Sequence, residues 1–486
     1  MTLCCVLLLA CTRAPDDVLR FGLASAPISF DPRFTTDATS ARINRLLYQQ
    51  LVEFDDSLRP VPGLATWEQV SATHYRFRLR ADRPTFTDGT PVNARDVKAT
   101  YDSILVPATA SPHRGTFAMI ESIEIVDNET VDFRLRNADP LFPGRLVIGI
   151  MPASRLQQNW SFAKQPIGSG GFEFFAWPEE GRVLLHRRND GLQVEFDVVR
   201  DPTVRVLKLL RGEIDMAQND LPPELIEYAR KQPRLQVLSH RGSNFTYLGF
   251  NLLDKTVGEL ALREAIAYGI DRAAIIRYML GAAARPASAL LPPDHWAGDP
   301  SLIPYPYDVA RAKTLLQQAG YSEQNRPQII YKTSSDPFRI RVATVIQQQL
   351  TQLGIDVQLQ TYDWGTFYGD IKAGRFQMFS LSWVGVKTPD IFHYAFHSEA
   401  VPPDGANRGR YRDALTDQLI TRADSEADPA QQAMNYRELQ QHLNETLPYV
   451  PLWYEDHVVV ANKQLKDYRL NLDGNYDGLL TVHRER

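Results

Sequence analysis

All three cysteines of this chain lie within its first eleven residues, at Cys4, Cys5 and Cys11. No cysteine follows Cys11, so the rest of the sequence has no thiol for a disulfide, a thiolate metal site or a cysteine nucleophile. Whatever fold the remaining residues adopt must therefore form without a disulfide bond.

The third cysteine ends the tetrapeptide LLAC at positions 8–11, which follows apolar residues and precedes a polar stretch. An apolar segment that leads to small residues and a cleavage point is an export signal and is not part of the mature fold. A cysteine at that point can be diacylated, and each buried methylene contributes about 0.8 kcal/mol to membrane binding. We therefore predict a lipoprotein signal peptide at residues 1–10 and a lipid-modified Cys11 as the mature N-terminus.

A second interpretation of this segment stays open, because the apolar run is short enough to be a first β-strand. Residues 1–10 also contain no Lys or Arg, although a signal peptide normally begins with a positively charged region. We expect the natural start codon to lie upstream.

The length of 486 residues is too great for one hydrophobic core and predicts two or three lobes. A content of 44% hydrophobic and 23% charged residues is that of an ordinary globular protein. The net charge of −5 argues against nucleic-acid binding, which requires a basic patch or stripe. No apolar run after Cys11 approaches the roughly eighteen residues of a membrane-spanning helix. The predicted lipid is therefore the only membrane contact that the sequence implies.

Strand and helix patterns alternate along the chain. Residues 75–80 alternate apolar residues with arginines, which predicts a half-buried strand, and Asn93 is placed to cap a helix. Apolar spacing predicts one helix over 260–280 and another over 337–354, the latter followed by a strand at 355–359. Such alternation predicts an α/β fold.

Several separate blocks carry a resemblance to a known family. They are residues 29–32 (SFDP), 51–53 with 60–67 (LVE, PVPGLATW), 75–80 with 88–97 (YRFRLR, DGTPVNARDV), 168–172, 248–251, 263–266, 270–272 and 361–383 (TYDWGTFYGDIKAGRFQMFSLSW). In this order they resemble the large extracellular solute-binding proteins of ABC importers, family 5, which include dipeptide- and oligopeptide-binding proteins. The resemblance runs from Leu19 to Val482.

This resemblance implies an α/β, three-lobed, periplasmic-binding-protein-like fold that closes on its ligand about a two-strand hinge. Lobe I would comprise residues 18–50, 153–243 and 455–486, lobe II residues 51–152, and lobe III residues 244–454. The implied function is a lipid-anchored, extracytoplasmic binding protein that captures a peptide or peptide-like solute and delivers it to an ABC permease and its ATPase. We expect a monomer with no nucleic-acid partner.

The family ligand lies in a cleft with backbone partners, aromatic walls and a few charges. The candidates at the matching positions are Ala26, Pro27, Tyr247, Asn251, Arg339, Arg341, Trp364, Tyr368, Trp383, Val384, Gly385, Val386 and Lys387. Each has an ordinary structural alternative. Residues 383–385 could be a buried strand end, Trp364 and Tyr368 could be core residues at helical spacing, and the two arginines could be solvated on a helix surface.

One position departs from the family. Peptide-binding relatives follow the tryptophan of this segment with an aspartate that pairs with the ligand's α-ammonium, whereas this chain has Val386 there and Lys387 beside it. Asp390 is the nearest acid in sequence, and we expect it to point elsewhere. The departure predicts a ligand without a free ammonium group, such as an N-blocked, cyclic or branched peptide, or a non-peptide solute whose negative group could bind Lys387.

Enzyme signatures are weak. Residues 168–171 (GSGG) lack both the nucleophile-elbow pattern and the Walker lysine, and His393 and His397 have helical spacing without an HExxH motif. We predict no catalytic residue, metal site or cofactor. The alternatives to peptide import are a non-peptide ligand (an opine, an oligosaccharide or a metal chelate), a sensor or chaperone that uses the same cleft, and a lipoprotein hydrolase.

Overall fold

The computed structural model describes residues 18–179, 181–281, 283–403 and 405–485. The predicted signal peptide and Cys11 lie outside these residues. The strands, in chain order, are β1 (Val18–Leu23), β2 (Val52–Phe54), β3 (Pro60–Pro62), β4 (Ala65–Ser71), β5 (His74–Leu79), β6 (Ile120–Ile125), β7 (Thr130–Leu135), β8 (Phe172–Glu179), β9 (Arg182–Arg187), β10 (Gln193–Val198), β11 (Met216–Gln218), β12 (Leu235–Phe250), β13 (Ala284–Pro286), β14 (Gln328–Ser334), β15 (Asp356–Tyr362), β16 (Met378–Trp383), β17 (Tyr449–Asn462), β18 (Leu465–Lys466) and β19 (His483–Arg484).

The α-helices lie between these strands and cover their faces. They are α1 (Ala38–Leu47), α2 (Ala94–Leu105), α3 (Phe142–Arg145), α4 (Ala153–Gln157), α5 (Pro202–Arg211), α6 (Pro223–Arg230), α7 (Leu260–Gly269), α8 (Arg272–Met279), α9 (Val309–Gln318), α10 (Pro337–Gln352), α11 (Trp364–Ala373), α12 (Ile391–Phe396), α13 (Ala414–Ser425) and α14 (Pro429–Thr446). Short 3₁₀ turns occur at Pro107–Thr109, Arg114–Phe117 and Asp477–Leu480. Within the described residues, none of the helices is both long and apolar enough to cross a membrane.

Eleven strands form one large mixed sheet in the order β15–β14–β16–β12–β17–β11–β1–β10–β9–β8, with β13 added to β17. A separate four-stranded antiparallel sheet, β4–β5–β7–β6, is built from the residues of the predicted lobe II. Parallel pairs occur at β1/β10 and at β14/β15, and α10 provides the crossover of the second pair. The large sheet with helices between its strands confirms the predicted α/β class.

The two longest strands of the sheet, β12 and β17, run side by side through its centre. Their pairing shifts register between His240 and Asn244. A Cβ on Gly242 would lie 2.1 Å from the carbonyl oxygen of Glu455, so only glycine allows this close approach of the two backbones. The predicted boundary between lobes I and III cuts both strands at this irregularity, between residues 243 and 244 in β12 and between residues 454 and 455 in β17. The lobe boundaries themselves stay a prediction.

Apolar side chains form separate cores. One core packs around β1, β9 and β10, and a second lies under the four-stranded sheet. Two more lie on opposite faces of β12 and β16, with α7 to α10 on one side and α11 to α14 on the other. Separate cores of this kind are what a three-lobed chain requires.

Helix α2 begins where the sequence predicts. The Asn93 side chain accepts a hydrogen bond from the backbone N–H of Arg95, and the Asp96 carboxylate accepts one from the N–H of Asn93 at 2.8 Å. The two contacts form a capping box.

The prediction of one helix over 260–280 is wrong, because α7 ends at Gly269 and α8 begins at Arg272. Asp271 caps α8 by accepting from the N–H of Ala274 at 2.9 Å. The buried Arg272 guanidinium donates to the carbonyl oxygens of Ala267 and Pro451 at 2.7 and 2.8 Å. Tertiary contacts to β17 therefore fix a break that the apolar spacing does not reveal.

Candidate ligand-binding cleft

Strand β16 ends beside the middle of β12, which pairs on its other side with the middle of β17. Phe245 pairs with Trp383, and Asn244 pairs with Glu455. The chain leaves β16 at Val384, which is 59% exposed, and turns at Gly385, whose φ of +70° favours glycine. The N–H of Gly385 donates to the side-chain oxygen of Asn244 at 3.3 Å. Residues 383–385 are thus a strand end that is partly exposed rather than buried.

The loop with Ala26 and Pro27 follows β1 on the lobe I side. Its position is fixed by α1, because the hydroxyl of the fully buried Ser40 accepts hydrogen bonds from the N–H groups of Ile28 and Ser29 at 2.7 and 3.3 Å. Pro27 is buried and Ala26 is half-buried, whereas the side chain of Ile28 is 73% exposed. The loop therefore presents apolar surface next to the end of β1.

Helix α11 supplies an aromatic surface. Asp363 accepts a hydrogen bond from the N–H of Thr366 and starts the helix at Trp364. One turn later Tyr368 lies on the same face, and the two rings are parallel to within 7° with centroids 5.4 Å apart. Trp364 is 58% exposed, so the pair is not ordinary core packing.

The guanidinium of Arg408 extends this stack. Its Cζ lies 5.5 Å from the ring centroid of Tyr368 and 4.7 Å from that of Trp383. Its two terminal nitrogens donate to the hydroxyls of Tyr247 and Tyr368, each at 3.2 Å. Arg408 thereby joins four of the predicted residues, Trp364, Tyr368, Trp383 and Tyr247, into one cluster, which we call the aromatic cage.

Burial and the neighbouring phenols have opposite effects on the pKa of Arg408 in the cage. Burial lowers the pKa of the Arg408 guanidinium, but the phenols of Tyr247, Tyr449 and Tyr368 outweigh this, and the pKa lies above its ordinary value. Burial raises the pKa of Tyr247 far above its ordinary value. At neutral pH the cage therefore holds a positive arginine beside the neutral phenol of Tyr247.

The two arginines that open α10 are both paired. Arg339 donates to the Glu455 carboxylate at 3.3 Å, and the same carboxylate oxygen accepts from the Thr246 hydroxyl at 3.0 Å. Arg341 lies 3.3 Å from Glu224 on α6, with both side chains more than half exposed. Such an exposed pair contributes at most about 1 kcal/mol. Each arginine thus has one acidic partner in this arrangement, and its role in ligand binding stays a prediction.

Lys387 connects the predicted lobes III and I. Its Nζ lies 2.6 Å from Oδ2 of Asp473, a carboxylate with 8% of its side chain exposed, and 5.2 Å from the ring centroid of Phe54 in lobe II. Burial alone would raise the pKa of Asp473, but the Lys387 charge and its hydrogen bond hold that pKa well below its usual range. The Lys387 ammonium, which the sequence analysis offers to a negative group of the ligand, is therefore paired with the Asp473 carboxylate of the predicted lobe I.

Three other positions lie apart from the cage or have internal partners. Asn251 directly follows the C-terminal end of β12 and donates to the carbonyl oxygens of Gly374 and Phe376. Val386 packs against the apolar core of lobe III. Asp390 lies 2.6 Å from Arg145 of the predicted lobe II, so it does point elsewhere.

This architecture matches a known family. The model of the family described as "Bacterial extracellular solute-binding proteins, family 5 Middle" matches residues 59–401, well over half of the chain. The chain belongs to this family. This solute-binding protein is 29% identical over 501 residues to Di/tripeptide-binding protein 2 of Pseudomonas aeruginosa (strain UCBPP-PA14), covering 95% of this chain and 94% of that one. It is 25% identical over 482 residues to the oligopeptide-binding protein AppA of Bacillus subtilis (strain 168), covering 92% and 88%.

Solved structures show the same fold. The periplasmic binding protein DppA from Helicobacter pylori, solved with the peptide STSA, is 26% identical with a TM-score of 0.77 over 96% of this chain and 98% of its own. NikZ from Campylobacter jejuni, solved with Ni(L-His), has a TM-score of 0.79 at 24% identity over 97% and 100%. These likenesses confirm the predicted periplasmic-binding-protein-like fold.

Membership of this family makes the chain an extracytoplasmic solute-binding protein and not an enzyme. In the described part of the chain no three His, Cys, Asp or Glu side chains are grouped to hold a metal ion. Sequence reasoning missed Arg408, Asp473 and Glu455, which complete the contacts of the predicted residues. Their partners are distant in sequence, so no local pattern points to these contacts.

Proposed function

We propose that this protein captures a peptide or peptide-like solute between lobes I and III, closes over it, and delivers it to an ABC permease driven by its ATPase. It acts outside the cytoplasm while tethered to a membrane through lipid on Cys11. The ligand lies along the end of β16 at 383–385 and against the aromatic cage, opposite the loop at 26–28.

The observation that carries this proposal is the exposed end of β16 beside the aromatic cage. An extended ligand needs backbone donors and acceptors that the sheet has left unpaired, and apolar walls for its side chains. Gly385 has no side chain to obstruct that approach. The relatives named as di/tripeptide- and oligopeptide-binding proteins support a ligand of this class.

The function is tested by mass spectrometry of the solute released from gently denatured protein, followed by calorimetry with that solute. We expect a peptide or a peptide derivative that binds tightly and is recovered unchanged. An opine, an oligosaccharide or a metal chelate would replace the peptide proposal. Tight binding in a cell that has no cognate permease would favour a sensor or chaperone.

Lobe closure should be visible in solution. Because a ligand shifts a two-state equilibrium only through its preference for one state, the solute identified above should reduce the radius of gyration measured by small-angle scattering. The irregular pairing of β12 and β17 at His240 to Asn244 provides the hinge. An unchanged radius at saturating ligand would contradict the closure mechanism.

Replacing Cys11 by Ser should release the protein from membranes. The substitution removes the thiol that carries the acyl chains, and two buried chains account for firm binding. Fractionation of cells should move nearly all of the protein to the supernatant, and mass spectrometry should show the loss of lipid. Cys5→Ser, inside the predicted signal peptide, is the matched control and should stay in the pellet. A lipid-bearing Cys11→Ser variant would contradict the anchor.

Acetylating the N-terminus of a bound peptide should change its affinity by less than about tenfold, or roughly 1.4 kcal/mol. The segment that follows Trp383 offers no free acid, since Val386 is apolar and Asp390 pairs with Arg145. Asp473 of the predicted lobe I comes close to this segment but pairs with Lys387. Calorimetry with matched free and acetylated peptides measures the difference. A loss of more than about a hundredfold would show that a carboxylate does hold the ammonium.

A further inference from the structure

One end of the large sheet contains the start of β1 at Val18. Strands β10 and β11 run parallel to β1 and begin toward the same end. Strand β17 is antiparallel to β11 and reaches this end at Asn462, where it pairs with Leu235 at the start of β12. The turns that precede β11 and β12 and the turn that follows β17 therefore surround the point at which β1 begins.

Three basic residues are exposed in these turns. Lys231 and Arg234 come just before β12, and Lys463 comes directly after β17. The backbone N–H of Lys463 donates to the carbonyl oxygen of Arg234 at 2.9 Å, so the two turns are in direct contact. None of the three side chains has an acidic partner among the described residues. Their charges are therefore available to an anionic partner from outside.

The turn before β11 adds positive charge. Lys208 and Arg211 at the end of α5 lie 2.9 and 3.7 Å from Glu213, so two cations share a single carboxylate. Four other acids of this region each have an arginine or lysine partner of their own: Asp190, Asp215, Glu227 and Glu485. Asp467, which lies 3.5 Å from His483, offsets only part of the excess.

This surface, which we call the basic end, is defined by five residues: Lys208, Arg211, Lys231, Arg234 and Lys463. It is positive although the whole chain has a net charge of −5. Its members come from three separate stretches of sequence, so only the fold brings their charges together. A concentrated positive surface on an acidic protein attracts an anionic surface and orients the protein on it.

The basic end lies close to the predicted lipid anchor. Seven peptide units join Cys11 to Val18 and span at most about 25 Å when fully extended. The connecting residues 12–17 contain one arginine and two aspartates, which removes little of the positive charge beside them. An acylated Cys11 would therefore hold the basic end within about 25 Å of the lipid headgroups.

We propose that the basic end docks on the anionic phospholipid headgroups of the membrane that carries the anchor. The inference rests on the proposed function, because the lipid on Cys11 brings this end to the bilayer. An acyl anchor and a basic patch reinforce each other, since each Lys or Arg near an anionic bilayer strengthens binding about fivefold. The loop with Ala26 and Pro27 follows the opposite end of β1. Docking therefore turns the cleft away from the bilayer and toward the solute.

The first test uses the wild-type lipoprotein in two kinds of vesicle. One is phosphatidylcholine alone, and the other is roughly two parts phosphatidylcholine to one part phosphatidylglycerol. Lysines are acetylated with an uncharged reagent and quantified by mass spectrometry. We expect Lys231 and Lys463 to react at least about threefold more slowly on the anionic vesicles, while the exposed Lys313 of lobe III reacts equally on both. The difference should disappear in about 1 M salt, where the Debye length is about 3 Å.

The outcomes separate this inference from the proposed function. Equal reaction of Lys231 and Lys463 on the two vesicles would overturn the docking and leave the anchor and peptide capture intact. A protein that floats with neither vesicle would overturn the lipid anchor, and this inference with it. Slow reaction of both lysines in intact cells but on neither vesicle would assign the basic end to a protein partner instead.

The second test measures the distance of the basic end from the bilayer. Because no cysteine follows Cys11, Gln464→Cys provides a single thiol for a dye in the exposed turn after β17. Energy transfer from this dye to an acceptor on the headgroups reports docking. The basic-end variant removes three charges, at Lys231→Gln, Arg234→Gln and Lys463→Gln. The matched control removes the same residue types from exposed positions of lobe III, at Lys255→Gln, Arg311→Gln and Lys313→Gln.

On the anionic vesicles the basic-end variant should show only the energy transfer seen on neutral vesicles, and the control should keep the wild-type value. Calorimetry with the solute should change by less than about twofold for either variant, since the basic end is remote from the cleft. Wild-type transfer from the basic-end variant would overturn the docking. An equal loss in the control would show that total charge, and not this surface, governs the contact.

Discussion

Replacing Lys387 by Met should lower the fraction of the ligand-free protein that is closed. The substitution leaves the Asp473 carboxylate buried without its partner, which costs about 3–5 kcal/mol for an ion pair removed from water. Lobe opening exposes Asp473 to water and relieves this cost, so the closed form is destabilised more than the fold of either lobe. Small-angle scattering should give a larger radius of gyration for Lys387→Met than for the wild type, both without ligand.

The exposed Lys313 on α9 provides the matched control, because Lys313→Met also removes one lysine charge. Adding Asp473→Asn to Lys387→Met should recover part of the closed population, since the double variant no longer buries an unpaired charge. If Lys387→Met and Lys313→Met have the same radius and the same ligand affinity, the ion pair does not hold the lobes together.

The parts of the fold that were predicted correctly depend on local sequence. Strand β5 follows from the alternation at 75–80, and the start of α2 follows from Asn93 with Asp96 three residues later. The break at Asp271 was missed because apolar residues continue with helical spacing on both sides of it. The contact that decides this break joins Arg272 to Pro451, which is remote in sequence.

The candidate site was predicted in the same uneven way. The sequence named Trp383 and the pair Trp364 and Tyr368 from one continuous block, and the structure brings these three side chains together, while their role in ligand binding stays a prediction. It assigned Lys387 to a ligand and could not reveal that Asp473 occupies it, because the pair forms only when lobes I and III meet.

Lowering the pH from about 7 to about 4 should destabilise the protein through two buried histidines, His295 and His457. Each is 2% exposed, and burial, the largest effect, lowers the pKa of each to about 4. Asp55 and the Lys387 carbonyl oppose this at His295, and Arg42 adds to it at His457. The other charges that act on His457 are Asp473, which raises its pKa, and His240, which lowers it.

Hydrogen bonds show why protonation is unfavourable at both rings. Nδ1 of His295 accepts from the N–H of Ala297 at 3.0 Å, while Nε2 donates to the carbonyl of Lys387 at 3.0 Å. At His457, Nδ1 accepts from the Asn219 amide at 3.2 Å, and Nε2 donates to the carbonyl of Leu472 at 3.1 Å. A second proton on either ring would place an N–H against another N–H, so the folded protein resists it.

The sign of the pH dependence follows from these directions. The pKa of each histidine in the folded state lies below its ordinary value of 6.5, so between about pH 6.5 and 4 the unfolded chain binds protons that the folded chain does not. The free energy of unfolding therefore falls as the pH falls through this range, by up to about 3 kcal/mol for each histidine. The depressed pKa of Asp473 acts in the same direction at still lower pH, where protonation breaks its pair with Lys387.

Urea unfolding followed by tryptophan fluorescence at pH 7 and pH 5 measures the effect. His295→Gln and His457→Gln keep an amide that can donate to the same carbonyl, but neither carries a titrating ring. We expect each to be less stable than the wild type at pH 7 and to lose less stability on acidification. His483→Gln, at a side chain that is 53% exposed, should follow the wild-type pH dependence. Parallel pH dependences for all four proteins would show that the acid sensitivity comes from the carboxylates alone.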